Sequence, residues 1–175
     1  MAIYYLVRHG KHNYDSVSGK NFIGHGLELA PLTDEGVNQA IECSRKLLEE
    51  GCDVIITSPY TRAMQTAAIL SRYLGLDIKV ELDLREHELD LTYQVKSFEK
   101  LKQIAAEEER CNKLGISCTA YKWESREAVR ERVLKVLQKY STYNKVIVVT
   151  HGMVIHCLMG KTGIPNCSIS KFELL

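Results

Sequence analysis

Two histidines of this sequence stand directly before a glycine, one residue after an apolar run. His9 follows the run 3–7, and His151 follows the β-branched run 146–149. Imidazole can carry a proton or attack as a nucleophile near neutral pH, so two histidines that share one site could catalyse a reaction. A single histidine is more often an exposed or a core side chain, and it is the pair that indicates a site.

Short apolar runs that stop at a glycine predict buried strands that end in loops, and these strands would position the histidines. In an open α/β sheet, ligands bind in the crevice at the carboxyl ends of the strands. Arg8 and His9 would therefore project into that crevice. If the two strands are parallel neighbours, which is a common arrangement, His151 would lie beside them.

The rest of the chain alternates helix and strand patterns after a long loop over 11–31. Helices are predicted over 34–50, from 58 to 74, over 95–111, from 125 to 140 and from 152 to 160, and strands over 53–57, 78–80 and 167–175. This βαβα alternation predicts a three-layer α/β/α sandwich with a mostly parallel central sheet. We expect one domain over 1–175, in which about 87–124 form an excursion that acts as a lid.

Four motifs, in order along the chain, resemble those of the histidine phosphatase superfamily, also called the phosphoglycerate mutase-like family. They are Arg8-His9-Gly10, Leu32–Ala40 (Leu-Thr-Asp-Glu-Gly-Val-Asn-Gln-Ala), Thr57–Ala67 (Thr-Ser-Pro-Tyr-Thr-Arg-Ala-Met-Gln-Thr-Ala) and His151-Gly152. The resemblance covers most of the chain. It implies the phosphoglycerate mutase-like fold and a pocket for the phosphoryl group of a small phosphate ester.

The resemblance also implies roles for five catalytic residues. His9 would attack phosphorus and carry a phosphohistidine that water then hydrolyses. Permanently charged Arg8 and Arg62, together with His151, would bind the phosphoryl oxygens. Glu86 would protonate the leaving oxygen and later activate water, which requires a raised pKa. This chemistry requires no metal and no cofactor.

Two neighbours compete with Glu86 for the role of the acid. Glu88 and Asp90 lie in the same charged cluster, and Glu86 is preferred because it matches the family position after Leu84-Arg85. A charged run of this kind is usually a solvated surface. The assignment therefore depends on the resemblance.

The chain departs from the family pattern around two parts of the predicted pocket. Lys11, His12 and Asp15 replace the residues that commonly follow Arg-His-Gly, and Trp123 replaces a glycine. These four are candidates for the pocket rim, although a carboxylate at Asp15 would repel a phosphoryl group. For His12, and likewise His25, we expect plain surface exposure.

Composition argues against several other classes of protein. The 175 residues carry 23 basic and 22 acidic side chains, so no broad field attracts nucleic acid or an anionic membrane. No apolar run reaches the roughly 18 residues that cross a bilayer. The six cysteines have no C-x-x-C spacing, and no signal sequence opens the chain. We therefore expect a soluble cytoplasmic protein, and we interpret even the closest pair, Cys111 and Cys118, as free thiols.

Four functions fit these residues, and a metal-independent phosphomonoesterase fits best. A phosphoglycerate mutase is the second, although only about forty residues lie between Glu86 and Ser125, where such members carry longer insertions. The third is a non-catalytic, regulatory phosphate-binding module. The fourth is a metal hydrolase that uses His9, His12, Asp15 and His151, which follows from ligand types alone.

Overall fold

The computed structural model describes residues 2–20, 22, 24, 26–118 and 120–174. The strands are β1 (Ile3–Arg8), β2 (Val54–Thr57), β3 (Ile78–Val80), β4 (Lys145–Thr150) and β5 (Ile169–Glu173). The helices are α1 (Asp34–Leu48), α2 (Thr61–Leu74), α3 (Phe98–Leu114), α4 (Arg126–Lys139) and α5 (Gly152–Met159), with 3-10 turns at Leu27–Leu29 and Leu82–Leu84. Across the described residues, no helix combines the length and the apolar character that crossing a membrane requires.

The sheet brings the two histidine-bearing strands together. Its order is β3-β2-β4-β1-β5, and every pairing is parallel except that of β1 with β5. Arg8, the last residue of β1, stands opposite Thr150, the last residue of β4. His9 and His151 come next on each chain, so both leave the sheet at the same edge. The two strands are thus parallel neighbours, which is the arrangement that the histidines need in order to share one site.

Apolar side chains alternate between the two faces of the sheet, as the two-residue period of a strand requires. Tyr4 and Leu6 of β1 belong to a buried cluster with α4 and α5. Tyr5 and Val7 belong to a second buried cluster with α1 and α2. Helices therefore cover both faces, and the predicted three-layer α/β/α fold is confirmed.

Three elements, α2, α3 and β5, begin two or three residues later than predicted, and for α3 and β5 the reason is local. α3 begins at Phe98 because Ser97 caps it, its hydroxyl accepting the N–H of Lys100 at 3.3 Å. β5 begins at Ile169 because Cys167 adopts a left-handed φ of 52°, which interrupts an extended strand.

The segment 87–124 leaves the sheet and returns to it, carrying α3. Two backbone hydrogen bonds join its ends, from Leu91 N–H to the carbonyl of Lys122 (2.9 Å) and from Glu124 N–H to the carbonyl of Glu88 (2.8 Å). The excursion is thus anchored at its base.

Candidate active site

Three predicted site residues meet at the edge formed by β1, β4 and the start of α2. His9, Arg62 and His151 are 2%, 5% and 0% exposed, respectively. The ring centroids of His9 and His151 are 5.1 Å apart, and Nε of Arg62 lies 3.2 Å from Nε2 of His9. The fold therefore places a second imidazole and a guanidinium beside His9, shielded from solvent.

The protonation state of His9 follows from its two neighbours. Nδ1 lies 2.8 Å from the carbonyl oxygen of Gly10, an acceptor, so Nδ1 carries the hydrogen. Nε of Arg62 is always protonated and donates to Nε2, which must therefore present its lone pair. Burial, together with the positive charge of Arg62, lowers the pKa of His9 to about 2. His9 is a neutral imidazole with one fixed tautomer.

His151 is prepared as a hydrogen-bond donor. Its Nε2 lies 2.7 Å from the hydroxyl oxygen of Ser58, which also accepts the N–H of Tyr60 at 3.3 Å. Ser58 can donate its hydroxyl hydrogen to Nε2, and the hydrogen of the neutral ring is then on Nδ1. Nδ1 is buried without a partner among the described residues. Burial lowers the pKa of His151 well below its usual value. A buried Nδ1–H of this kind would be satisfied by an anion.

The two arginines reach the site from different cavities. Arg62 lines one cavity and donates through Nη1 to the carbonyl of Leu27 at 3.0 Å. Arg8 lines the other and donates through Nη1 to the carbonyl of Ile164 at 2.5 Å. The Nε of Arg8 is buried with no partner among the described residues. Glu86 lines both cavities and so shares one with each arginine.

Glu86 has the electrostatic character that an acid requires. Its side chain is partly buried, and Oε1 accepts the N–H of His87 at 2.9 Å. Burial raises the pKa of Glu86 above its usual value, although the His87 bond and the arginines oppose this. A carboxyl group of this kind holds its proton at higher pH than an exposed one.

The competing acids differ from Glu86. Asp90 accepts hydrogen bonds from the N–H and hydroxyl of Thr92 and from the N–H of Val95, and these bonds lower its pKa. Asp90 therefore organises a turn of the excursion. Glu88 is buried and lies 3.5 Å from the hydroxyl of Tyr60, so it remains near the site.

Motif residues outside the reacting groups hold the site turn in place. A Cβ on Gly10 would lie 2.5 Å from the carbonyl oxygen of Gly36, so only glycine allows this close approach of the turn to α1. The N–H of Gly10 donates to the hydroxyl of Thr66 at 3.0 Å, and that of the next residue donates to Gln39 at 2.8 Å. The glycine, threonine and glutamine of the motifs are therefore positioning residues.

Arg132 is a site-supporting residue that sequence reasoning missed. It is 9% exposed and donates to both carboxylate oxygens of Glu124, at 2.6 and 2.9 Å. It also donates to the carbonyls of Arg85 (3.0 Å) and Glu86 (3.2 Å), and so holds the segment that carries the acid. The available sequence signal was Glu124, the residue directly after Trp123, where the chain departs from the family pattern.

Two candidates for the pocket rim point elsewhere. Lys11 is exposed and forms an ion pair with Glu35 of α1 at 2.5 Å. Asp15 is exposed and lines neither of the cavities that Glu86 lines. The expected repulsion of a phosphoryl group by Asp15 is avoided because its side chain faces solvent.

His12 differs from the expected surface residue. Its ring centroid lies 4.9 Å from that of His9, and its Nδ1 is buried without a partner among the described residues. Burial, followed by the charges of Arg62 and Arg8, lowers the pKa of His12 to about 4. The prediction of plain exposure was wrong because the loop folds back over His9. His25 lies outside the described residues.

Trp123 does not line either cavity beside Glu86. It lines a separate cavity near the C-terminal end of α3, together with Tyr121 and Cys118. The reason is that Glu124 turns inward to Arg132, and the preceding side chain lies on the other side of the extended segment.

Two cysteines near Trp123, Cys111 and Cys118, lie close to Glu107 and form a group of potential metal ligands that the sequence did not indicate. All six cysteines are free, as predicted. Among the described residues, Glu107, Cys111 and Cys118 are the one group of three or more metal-ligating side chains with ligand atoms within 4.8 Å of one another. The histidine and aspartate ligands of the metal-hydrolase hypothesis form no such group.

A buried neutral imidazole beside permanent cations, with a carboxyl of raised pKa close by, has the geometry expected for phosphoryl transfer. The family model described as "Histidine phosphatase superfamily (branch 1)" matches residues 4–174. The chain therefore belongs to the histidine phosphatase superfamily, as its motifs predicted.

Individual relatives include both phosphatases and mutases. The probable phosphoglycerate mutase GpmB of Photorhabdus laumondii subsp. laumondii is 28% identical over 187 residues, covering 97% of this chain and 83% of the relative. The putative phosphoserine phosphatase 2 of Hydrogenobacter thermophilus is 31% identical over 169 residues, covering 93% and 80%. The structure of Bacillus stearothermophilus YhfR is similar with a TM-score of 0.76 at 21% identity, covering 99% and 92%. These comparisons define the superfamily and the fold.

Proposed function

We propose that this protein is a metal-independent phosphatase that hydrolyses phosphate monoesters through a phosphohistidine on His9. One observation carries the proposal. Nε2 of His9 is held as a hydrogen-bond acceptor 3.2 Å from Nε of Arg62, while Nδ1 donates to Gly10. A lone pair fixed beside a guanidinium is what a nucleophile for a phosphoryl anion needs.

In the first step, Nε2 of His9 attacks phosphorus and a P–N bond forms. The P–O bond to the alcohol breaks, its electron pair stays on the alcohol oxygen, and Glu86 gives its proton to that oxygen. Arg62 transfers its hydrogen bond from Nε2 to a phosphoryl oxygen. Nε of Arg8 and Nδ1 of His151, which have no partner in the described part of the chain, donate to the others. The raised pKa of Glu86 supports its role as the proton donor.

In the second step, water attacks the phosphorus of the phosphohistidine. The carboxylate of Glu86 accepts a proton from that water, the P–N bond breaks, and its electron pair returns to Nε2 of His9. Inorganic phosphate leaves, and both residues are restored to their starting states.

Phosphoglycerate mutase activity is the second candidate, because relatives such as GpmB carry that name. A mutase would use the same phosphohistidine and return the phosphoryl group to a hydroxyl of glycerate instead of water. The two reactions therefore differ only in the acceptor of the second step.

A rapid-quench experiment tests the proposal. After mixing with a radiolabelled phosphate ester, we expect an acid-labile, base-stable phosphoryl group that peptide mapping assigns to His9. His9→Gln should lose the label, and Arg72→Gln, at an exposed position of α2, should keep it. A chase into water with and without glycerate then separates phosphatase from mutase. Turnover without a label on His9 would refute the mechanism.

A further inference from the structure

The cavity that Arg62 and Glu86 line has a chemical character that the reaction itself does not require. Its volume is about 180 Å³. Its walls are mainly carbon and include Tyr14, Leu27, Tyr60, Phe98, Leu101 and Ala105. The alcohol part of a substrate must lie close to the acid that protonates it. Glu86 lines both cavities, but of the two this one also holds Arg62, whose Nε lies 3.2 Å from Nε2 of His9, so we take it as the place where the leaving group binds.

A row of aromatic rings connects the nucleophile with the far wall of the cavity. The centroids of His9 and His12, of His12 and Tyr14, and of Tyr14 and Phe98 are each 4.9 Å apart. Edge-to-face and tilted contacts between aromatic rings at this spacing are favourable, and an aromatic ring of a substrate could form the same kind of contact with the rings that line the cavity. An aromatic leaving group would extend this packing beside the phosphoryl group.

Helix α3 supplies an apolar face to the same cavity. Phe98, Leu101 and Ala105 are spaced by three and four residues, so they lie on one side of the helix. The nearby cation, Lys102, lies 4.4 Å from the centroid of the Phe98 ring and pairs with Glu99 at 3.2 Å. Its charge is therefore already partnered at the cavity wall.

The charges of the cavity disfavour an acidic leaving group. Three carboxyl side chains line it, those of Glu28, Glu86 and Glu88, against the cations Arg62 and Lys102. In the proposed mechanism Arg62 binds the phosphoryl group. A substrate carboxylate would enter a largely apolar space beside other carboxyl groups, which costs free energy of desolvation and repulsion.

We infer that the substrate is the phosphate monoester of an aromatic or bulky apolar alcohol that carries no carboxylate. This inference rests on the proposed phosphatase activity and names the substrate class of that site. The size of the cavity agrees with it, because an apolar cavity of about 150 Å³ accommodates one benzene ring.

The test compares kcat/KM for 3-phenylpropyl phosphate, propyl phosphate and 3-phosphoglycerate, all esters of alkyl alcohols. We expect the phenyl ester to exceed the propyl ester by about 10- to 100-fold, from burial of the ring. The phosphoglycerate should be the poorest of the three. No preference for the phenyl ester, or a preference for phosphoglycerate, would overturn the inference.

Variants of α3 link the preference to the cavity. Ala105→Phe, which fills the space, and Phe98→Ala, which removes a wall, should each bring the phenyl-to-propyl ratio towards one. Gln103→Ala, at an exposed position of the same helix, should leave it unchanged. Unaltered ratios in both cavity variants, with wild-type thermal unfolding, would contradict the inference. Turnover and phosphohistidine formation with 4-nitrophenyl phosphate report on the proposed function separately, since failure there refutes the reaction and failure of the ranking alone refutes only the substrate class.

Discussion

The sheet edge that carries His9 and His151 and the excursion 87–124 are held in place by different means. At the edge, backbone register alone puts His9 beside His151, because the strands before them pair along their full length. In the excursion, α3 is held by side chains, including Arg126, whose Nε and Nη2 each lie 2.9 Å from the carboxylate of Glu108. Large apolar side chains also remain exposed there, such as Leu91 and Leu114.

This difference suits the two regions to different tasks, the sheet edge to catalysis and the excursion to substrate selectivity. Groups fixed by a sheet are held rigidly enough to orient a nucleophile, and those on a peripheral segment can change without disturbing it. We propose that the excursion is the lid and the selective wall, and that the sheet edge carries the reaction. Variants at the edge should therefore affect turnover of every ester, and variants of the excursion should affect the choice among esters.

The largest effect is expected at Arg62. Arg62→Ala removes the donor that faces Nε2 of His9, and kcat/KM should fall by about 10³-fold or more for all esters, as when other phosphate-binding arginines are removed. Arg62→Lys keeps the charge but loses the planar fork and should recover only part of the activity. Arg72→Ala, at an exposed position of the same helix, is the control. If kcat/KM fell for one ester alone, Arg62 would contribute to substrate selectivity and not to phosphoryl transfer.

Glu86→Gln should depend on the leaving group. Alkyl phosphates need protonation and should lose about 10²- to 10⁴-fold in phosphoryl transfer, whereas the burst with 4-nitrophenyl phosphate should persist. Because burial raises the pKa of Glu86, wild-type kcat/KM for alkyl esters should fall on the alkaline side as the proton is lost, and the variant should lack this limb. If Glu88→Gln gives the selective loss instead, the acid is Glu88.

Arg132 connects the two regions, and its removal should destabilise the protein. Arg132→Met leaves Arg85, at 3.8 Å, as the nearest described cation to the buried carboxylate of Glu124, and the free energy of unfolding in urea should fall by about 3 kcal/mol. Arg110→Met removes an exposed ion pair with Glu107, which solvent screens, and should leave the urea unfolding midpoint close to that of the wild type. The double variant Arg132→Met with Glu124→Gln should recover part of the loss. Equal effects of the two arginines would show that burial of the pair is unimportant.

The buried imidazoles make stability depend on pH. Burial lowers the pKa of His9 to about 2, that of His12 to about 4, and that of His151 well below normal. Below about pH 6.5 the unfolded chain binds protons that the folded protein does not. The free energy of unfolding therefore decreases as the pH is lowered, by about 1.4 kcal/mol per pH unit for each buried histidine. Glu86 opposes this, because its raised pKa gives stability that increases as pH falls. In urea titrations from neutral to mildly acidic pH, His12→Gln should reduce the slope by one proton, and an unchanged slope would contradict the burial of His12.

Sequence reasoning succeeded where local pattern determines position. The run before His9 predicts a strand, Ser-Pro predicts a helix start, and together they place Arg62 in the first turn near the edge. It failed for His12, Arg132 and Trp123, because their surroundings come from segments far away in the chain. A helical arginine such as Arg132 has the same local pattern as an exposed one. It becomes a buried anchor through Glu124 and the carbonyls of Arg85 and Glu86, which are distant in the chain.

The smallest effect is expected at Asp15, three residues from His12 in the same loop. A carboxylate inside the pocket would repel a phosphoryl group, and its neutralisation would then raise kcat/KM strongly. Asp15 is exposed, however, so solvent and salt screen its charge. Asp15→Asn should therefore change kcat/KM by no more than about twofold, and the same holds for Lys11→Ala, whose side chain pairs with Glu35 on the surface. His12→Gln, which alters a ring in contact with His9, should lower kcat/KM by more than either. A large gain in Asp15→Asn at low salt that disappears at high salt would mean that the loop turns inward when substrate binds, and that the edge is less rigid than the paired strands imply.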